Sequence, residues 1–300
     1  MKRESKAVLI LLLTAAIWGF AFVAQRVSME HIGAFTFIAV RFALGSISLL
    51  PVIFYFDRKS RNNNEAAEHE TTGAELKTTI KSGALAGCVL FIAAAFQQVG
   101  LVYTTAGKAG FITSLYIVIV PILGIFLKQK THYKTWIGAA TAVIGLYLLS
   151  INEDLTIQFG DLLEIIGSFF WAIHILLIDR FVKNVDPIKL SCVQFVAGSI
   201  LSFIMAFIFE EISLVGLSNA IVPILYGGIL SAGVAYTLQA LGQRHAKPSH
   251  AAIALSMEAV FAAIGGALIL SETLPMRGYV GCGLMLLGML IAQTENRSKE

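Results

Sequence analysis

Three hundred residues that are 57% hydrophobic and only 14% charged lie outside the composition of soluble domains and describe a polytopic membrane protein. The formal charge of +3 is no nucleic-acid signal, because its distribution along the chain has a topological explanation. Cys88, Cys192 and Cys282 fall one to an apolar run with no metal-ligand spacing, so they are read as packing residues and define no redox compartment.

A span needs roughly 20 apolar residues to cross about 30 Å of hydrocarbon. Ten such runs are marked near 7–25, 33–56, 82–101, 105–127, 133–151, 160–181, 187–209, 220–241, 249–270 and 276–293. Continuous runs of this length are helices, because lipid leaves no partner for an open backbone. The first run follows the basic start Met1–Lys6, which resembles a secretory leader; its repeat partner at 160–181 sits in mid-chain, so both are read as retained helices.

The first span carries Trp18–Gly19–Phe20 near its middle and the sixth carries Trp171, at a depth where Trp implies a packed interior or a cavity wall. Gln25, Arg26, Glu30 and His31 read as a short solvated outer connection. Arg41 is the one basic residue well inside a span, and is either an anchor climbing towards the headgroups or a gate or substrate contact. Residues 57–79, with Asn62–Asn64, Glu65, Glu68 and Glu70, have no apolar face and are expected to form a flexible cytoplasmic loop.

The third span ends in Gln97, Gln98 and Tyr103, which need partners in a low dielectric. Gly107–Lys108 lacks the spacing and the Ser/Thr of a phosphate loop, and nothing else resembles an ATP site. In the fourth span Ser114 and Tyr116 fall near mid-membrane, and Pro121 invites a kink. The ninth brings Ser256 and Glu258 to a similar depth. Two helical positions are about 200° apart, so one pair alone lines a common space; Tyr116 with Glu258 is favoured, since a carboxyl turned to lipid is the costliest alternative.

Glu258 reads as a cation contact or proton relay, or else as an acid that joins two helices. Asp161 and Glu164 occupy a first helical turn, where the helix dipole is sufficient reason for carboxylates. His174 lies deeper, with packing and proton handling both open to it. Tyr236 and Gln239 mirror the polar end of the third span. The last span offers a glycine face for packing or for a second copy of the chain.

Two internal matches order this list. A slide of 142 places Gln97, Gly100, Ala109, Ser114 and Gly124 on identical residues, and Tyr116 on Glu258. A slide of 153 places Trp18, Val40, Phe42, Gly45, Ser46 and Ile47 on identical residues. The chain is therefore read as a duplication, 1–151 and 152–300, of five spans each. Of 22 Lys and Arg, Arg26, Lys108 and Arg277 alone fall in outer segments when both termini are placed in the cytoplasm. Five spans per copy then invert the second repeat.

The run AIWGFAF (Ala16–Phe22), the step Arg41–Phe42, the run Gly110–Leu123 and the run Leu255–Glu272 resemble the EamA-type permeases of the drug/metabolite transporter superfamily. The resemblance implies an all-α membrane protein of ten transmembrane helices, two inverted five-helix repeats around a central cavity. It also implies that the third and fourth spans face the eighth and ninth, with the fifth and tenth outside. Two departures are visible. Ala259 replaces the proline that often follows the acid of the ninth span, which puts a kink there in question. Lys130 replaces the acid that commonly closes the fourth span, whereas Glu272 keeps its counterpart.

The expected function is a secondary transporter of small organic metabolites such as amino acids, in the cytoplasmic membrane, with no cofactor, metal or nucleic-acid partner. Its expected cavity residues are Trp18, Arg41, Gln97, Tyr103, Tyr116, Trp171, His174, Tyr236, Gln239 and Glu258. The rivals are an intramembrane enzyme, for which no nucleophile–base motif or aspartate pair is present, and a membrane receptor or scaffold, for which the loops are short.

Overall fold

The computed structural model of the chain describes residues 3–62, 73–129, 131–150, 158–271 and 276–293. The first half holds α1 (Arg3–Ser28), α2 (Ala34–Asn62), α3 (Gly73–Tyr103), α4 (Ala106–Thr113), α5 (Tyr116–Phe126) and α6 (Tyr133–Ser150). The second holds α7 (Phe159–Phe181), α8 (Pro187–Phe209), the short α9 (Leu214–Asn219) and α10 (Ile221–Leu225), and a π-helical segment over Tyr226–Tyr236. It continues with α11 (Thr237–Gln243), α12 (Pro248–Leu255), α13 (Glu258–Ile269) and α14 (Met276–Gln293).

Among the described residues eight helical stretches are long and apolar enough to cross a membrane, and they fall on the first four and the sixth to ninth expected spans. The remaining two correspond to α6 and α14, each of 18 residues, or about 27 Å of helix. These two helices pack along each other outside the others, as the resemblance implied. Glycine permits the approach: a Cβ on Gly138 meets the carbonyl of Gly288 at 2.5 Å, and one on Gly288 meets that of Gly138 at 2.5 Å. The glycine face of α14 is thus filled within the chain, although Gly283 faces open space.

The loop expected at 57–79 is shorter than its polarity suggested. α2 continues to Asn62 and α3 begins at Gly73, so 57–62 and 73–79 are helical, and Asp57 pairs with Lys189 at 2.9 Å. Polar residues lengthen a helix beyond the membrane as readily as they end one. Lys130, Glu272 and the stretch 63–72 lie outside the described residues.

The core joins the halves. Phe42 and Phe195, 153 positions apart, stack at 5.6 Å. At the N-terminus of α2, Glu210 takes the backbone N–H groups of Phe35 and Thr36 at 2.8 Å each and the Thr36 hydroxyl at 2.7 Å. A carboxylate from one half thus caps a helix of the other, where the helix dipole favours it.

Candidate functional site

Two of the long apolar stretches are interrupted, and by the same residue type. α4 stops at Thr113 and α5 starts at Tyr116; α12 stops at Leu255 and α13 starts at Glu258. In the first gap Leu115 N–H donates to Ile112 O at 3.1 Å and Ile117 N–H to Ser114 O at 3.0 Å. In the second, Met257 N–H donates to Ala254 O at 3.4 Å and Ala259 N–H to Ser256 O at 3.1 Å. These bonds are one residue shorter than those of an α-helix. Each break carries a serine bonded back to its own helix, Ser114 Oγ donating to Gly110 O at 2.8 Å and Ser256 Oγ to Ile253 O at 2.9 Å. Such bonds favour a bend but do not suffice for a break, because Ser202 makes one within the continuous α8. Proline is not the cause. α5 runs on through Pro121, and the second break forms with alanine at position 259.

The breaks meet. Ser114 Oγ reaches Ser256 O at 3.4 Å, and Tyr116 Oη donates to Glu258 Oε1 at 2.8 Å. Both pairs are 142 positions apart, and residues related by an internal repeat touch each other only near the axis that relates the repeats. The serines are buried and bonded to backbone, whereas Tyr116 and Glu258 line a cavity on that axis.

Four pairs of repeat mates form its walls: Trp18 with Trp171, Phe22 with Ile175, Gln97 with Gln239, and Tyr116 with Glu258. The rest of the lining has no such pairing and comprises Ala21, Gln25, Arg41, Thr113, Ser231 and Tyr236. About 30 Å³ is open to the centres of water-sized molecules, which is room for roughly two waters. A metabolite fits only after the walls part.

The π-helical segment forms one wall, and α1 holds it there. Trp18 Nε1–H donates to Ser231 O at 3.3 Å, the Tyr226 hydroxyl to Ile17 O at 2.9 Å and Thr14 Oγ1–H to Ala235 O at 3.3 Å. The Tyr236 ring then sits 4.6 Å from that of Trp18 and 6.2 Å from that of Trp171. Three aromatic faces therefore bound a space whose polar ends are Arg41 and Glu258.

Arg41 does not climb to the headgroups. It is 3% exposed, with its guanidinium carbon 4.9 Å from the Phe42 ring and 5.4 Å from the Phe37 ring. Its Nε has no hydrogen-bond partner, and among the described residues no carboxylate lies within the 4.0 Å of an ion pair. The guanidinium is thus held by aromatic rings, with no counter-ion among the described residues.

Eight of the ten expected residues meet at this cavity, and two do not. Tyr103 is 54% exposed at the end of α3 and packs on Phe159 at 5.4 Å. A phenol at the rim of the apolar layer finds water there and has no need of the cavity. His174 is fully buried behind the wall, its Nε2 bonded to Gln194 Oε1 at 2.9 Å and its ring edge-on to Trp171 and Tyr236.

Sequence reasoning missed Gln25, Thr113 and Ser231. Gln25, read as solvated, is 4% exposed and accepts at its carbonyl from Gln98 Nε2 at 3.4 Å. Its place next to Arg26 obscured it, although four positions separate it from the lining residue Ala21. Asp161 caps its helix through Gln158 N–H at 2.9 Å and pairs with Lys108 at 2.6 Å. Glu164 departs from the dipole reading, because it is fully buried and accepts from Thr113 Oγ1 at 3.0 Å. Among the described residues no group of three His, Cys, Asp or Glu is placed to hold a metal ion.

An all-helical membrane architecture that closes two repeats around a polar, aromatic-walled cavity on their shared axis is that of a repeat-built membrane transporter. The EamA-like transporter family matches residues 5–151 and again residues 158–294, and the chain belongs to that family. It is 31% identical over 282 residues to an uncharacterized transporter of Archaeoglobus fulgidus, covering 94% of this chain and 83% of the relative. It is also 23% identical over 292 residues to the uncharacterized transporter YoaV of Bacillus subtilis, covering 95% and 96%. A WAT1-related protein of Arabidopsis thaliana is 23% identical over 309 residues, covering 89% and 83%. A protein of known crystal structure shares the fold with a TM-score of 0.76 at 16% identity, over 99% of each chain.

Proposed function

We propose that this transporter is a secondary carrier that moves small organic metabolites, amino acids or similar amphipathic solutes, outward across the cytoplasmic membrane. In this reading ten helices form two inverted five-helix repeats, residues 1–151 and 152–300, with both termini in the cytoplasm. The distribution of Lys and Arg supports that orientation. The repeats rock against each other about the Ser114–Ser256 and Tyr116–Glu258 contacts, opening the cavity to one side and then the other.

The observation that carries this reading is the direct contact of repeat mates at the breaks. A hinge at these contacts would share one axis with the polar cavity, which supports rocking of the repeats. The amphipathic substrate class follows from the lining, where Arg41 offers a cation to a carboxylate, Glu258 an acceptor to an amine, and Trp18, Trp171 and Tyr236 apolar faces to the body between them.

The test compares metabolites accumulating outside cells that overproduce the protein with those outside cells producing Glu258→Gln at equal membrane abundance. A compound enriched with the unmodified protein alone is the expected result and names the substrate. Enrichment by both proteins keeps the transporter and demotes Glu258; enrichment by neither contradicts export.

A further inference from the structure

We propose that Glu164 is a second intramembrane acid that takes up and releases a proton through the central cavity, with the Thr113 hydroxyl as its connection.

Packing gives no reason for an acid here. The slide of 142 pairs Gly100 with Gly242, and the slide of 153 pairs Leu11 with Glu164. The structure repeats both pairings in space: a Cβ on Gly242 meets Leu11 Cγ at 2.8 Å, and a Cβ on Gly100 meets Glu164 Cγ at 3.0 Å and Oε1 at 2.9 Å. One helix crossing is thus made twice, once with leucine and once with glutamate. The second partner changes with it. Thr113, which donates to Glu164 Oε2 at 3.0 Å, has Leu255 as its repeat mate. The crossing at Gly242 therefore brings two leucines, one from each repeat, to the place where the crossing at Gly100 sets the Thr113 hydroxyl beside the Glu164 carboxyl.

The carboxyl is incompletely held. Glu164 is fully buried, and its Oε1 has no hydrogen-bond partner. A permanent buried anion with one donor is the costliest way to occupy such a place; a group that gains and loses a proton has a use for it. Gln97 Nε2–H donates to Thr113 Oγ1 at 3.1 Å, and both residues line the cavity. A proton reaches Glu164 when a protonated water or solute in the cavity donates to Thr113 Oγ1 while that hydroxyl's own proton passes to Oε2. The donor is left one proton poorer and the threonine unchanged.

The charged and titratable groups around Glu164 are Asp161 on its own helix, held by Lys108 of α4, and Glu258 of α13, held by Tyr116 of α5. α3 places Tyr103 at the outer end, beside Gly160. α11 meets α7 further along, at Ile175, and α12 brings His250 to the far end, beside Asp179 and Lys183. No cation is bonded to Glu164 among the described residues.

The purpose of this site rests on the transporter reading, so its test is one that needs no substrate. Infrared spectra of the purified protein in liposomes, in H₂O and D₂O, are compared for the unmodified chain, Glu164→Leu, Glu258→Gln and Thr113→Val. The leucine variant copies the other repeat and is expected to fold. The expected result is a carboxylic-acid C=O band that shifts in D₂O, persists in Glu258→Gln, and is missing from Glu164→Leu. In Thr113→Val the band persists and its exchange with D₂O slows at least tenfold. Spectra of the unmodified protein and Glu164→Leu that coincide, or a band that never exchanges, overturn the proposal; unchanged exchange in Thr113→Val overturns the Thr113 connection. Failure to find an exported metabolite leaves this result untouched, so the two readings fail separately.

Discussion

The two repeats share a backbone plan and divide the chemistry unequally. In the first, Arg41 faces the cavity beside Ala21. In the second, the corresponding positions are Gln194 and His174, which bond each other at 2.9 Å behind the wall. A small residue leaves one polar side chain open to the cavity, and a large one satisfies and covers its counterpart. Tyr116 against Glu258 and Leu11 against Glu164 are further positions at which the mates differ in chemistry. Identical mates such as Ser114 and Ser256, or Phe42 and Phe195, build the crossing, and Gln97 with Gln239 gives the cavity polarity shared by both repeats, whereas Arg41, Tyr116 and Glu258 make that polarity unequal. The symmetry is kept at the crossing and in part of the cavity wall, and is shed at Arg41, Ala21, Tyr116 and their mates.

Substitutions that make one repeat copy the other test this division most severely. Arg41→Gln, which installs the residue of the second repeat, is expected to lower export of the compound that the metabolite comparison identifies at least tenfold. It should leave resistance to denaturant in liposomes unchanged or higher, because an unpaired buried cation costs stability. Loss of folding together with transport would make Arg41 structural. Next in size, Tyr116→Phe removes the hydroxyl that donates to the buried Glu258 carboxyl, a loss of about 1–3 kcal/mol read from the denaturant midpoint, with export falling as well.

Positions that build the frame should behave differently. Gly288→Leu forces side chain into the crossing with Gly138 and should destabilise by about 1–3 kcal/mol. Export per folded molecule should then be unchanged, and a selective loss of export would place α6 and α14 in the mechanism. Smallest and most diagnostic are Ser114→Ala and Ser256→Ala, each expected to cost about 0.5–1.5 kcal/mol. Near-equal effects support symmetric breaks; an effect of one alone would give that break a separate role.

Much of this was legible in the sequence. The slides of 142 and 153 aligned residues that turn out to touch, and period-independent apolar runs marked the helices because lipid demands whole spans. Eight cavity residues stood out as polar or aromatic groups at depths where they needed a reason. The helix breaks were hidden because serine at mid-helix has more than one local bond to choose from, and back-bonded Ser114 and Ser256 sit at breaks whereas back-bonded Ser202 does not. The π-helical winding at 226–236 has no periodicity that a uniformly apolar run reveals. The burial of Glu164 was hidden because its nearness to the helix start made the dipole a sufficient reason for it, and depth is set by how α7 leans on α3 and α4. Tyr103 and His174 were placed by composition alone, which says that a polar group needs a partner but not whether water, a neighbour or a cavity supplies it.

The central claim, that one cavity on the repeat axis opens to each side in turn, is tested most directly by the accessibility of Ala21, which is 1% exposed on the wall beside Arg41. Ala21→Cys is made in a chain whose Cys88, Cys192 and Cys282 are replaced, and a membrane-impermeant thiol reagent is applied to right-side-out and to inverted vesicles. The account predicts labelling from both faces. Labelling from one face only, or from neither, would contradict it.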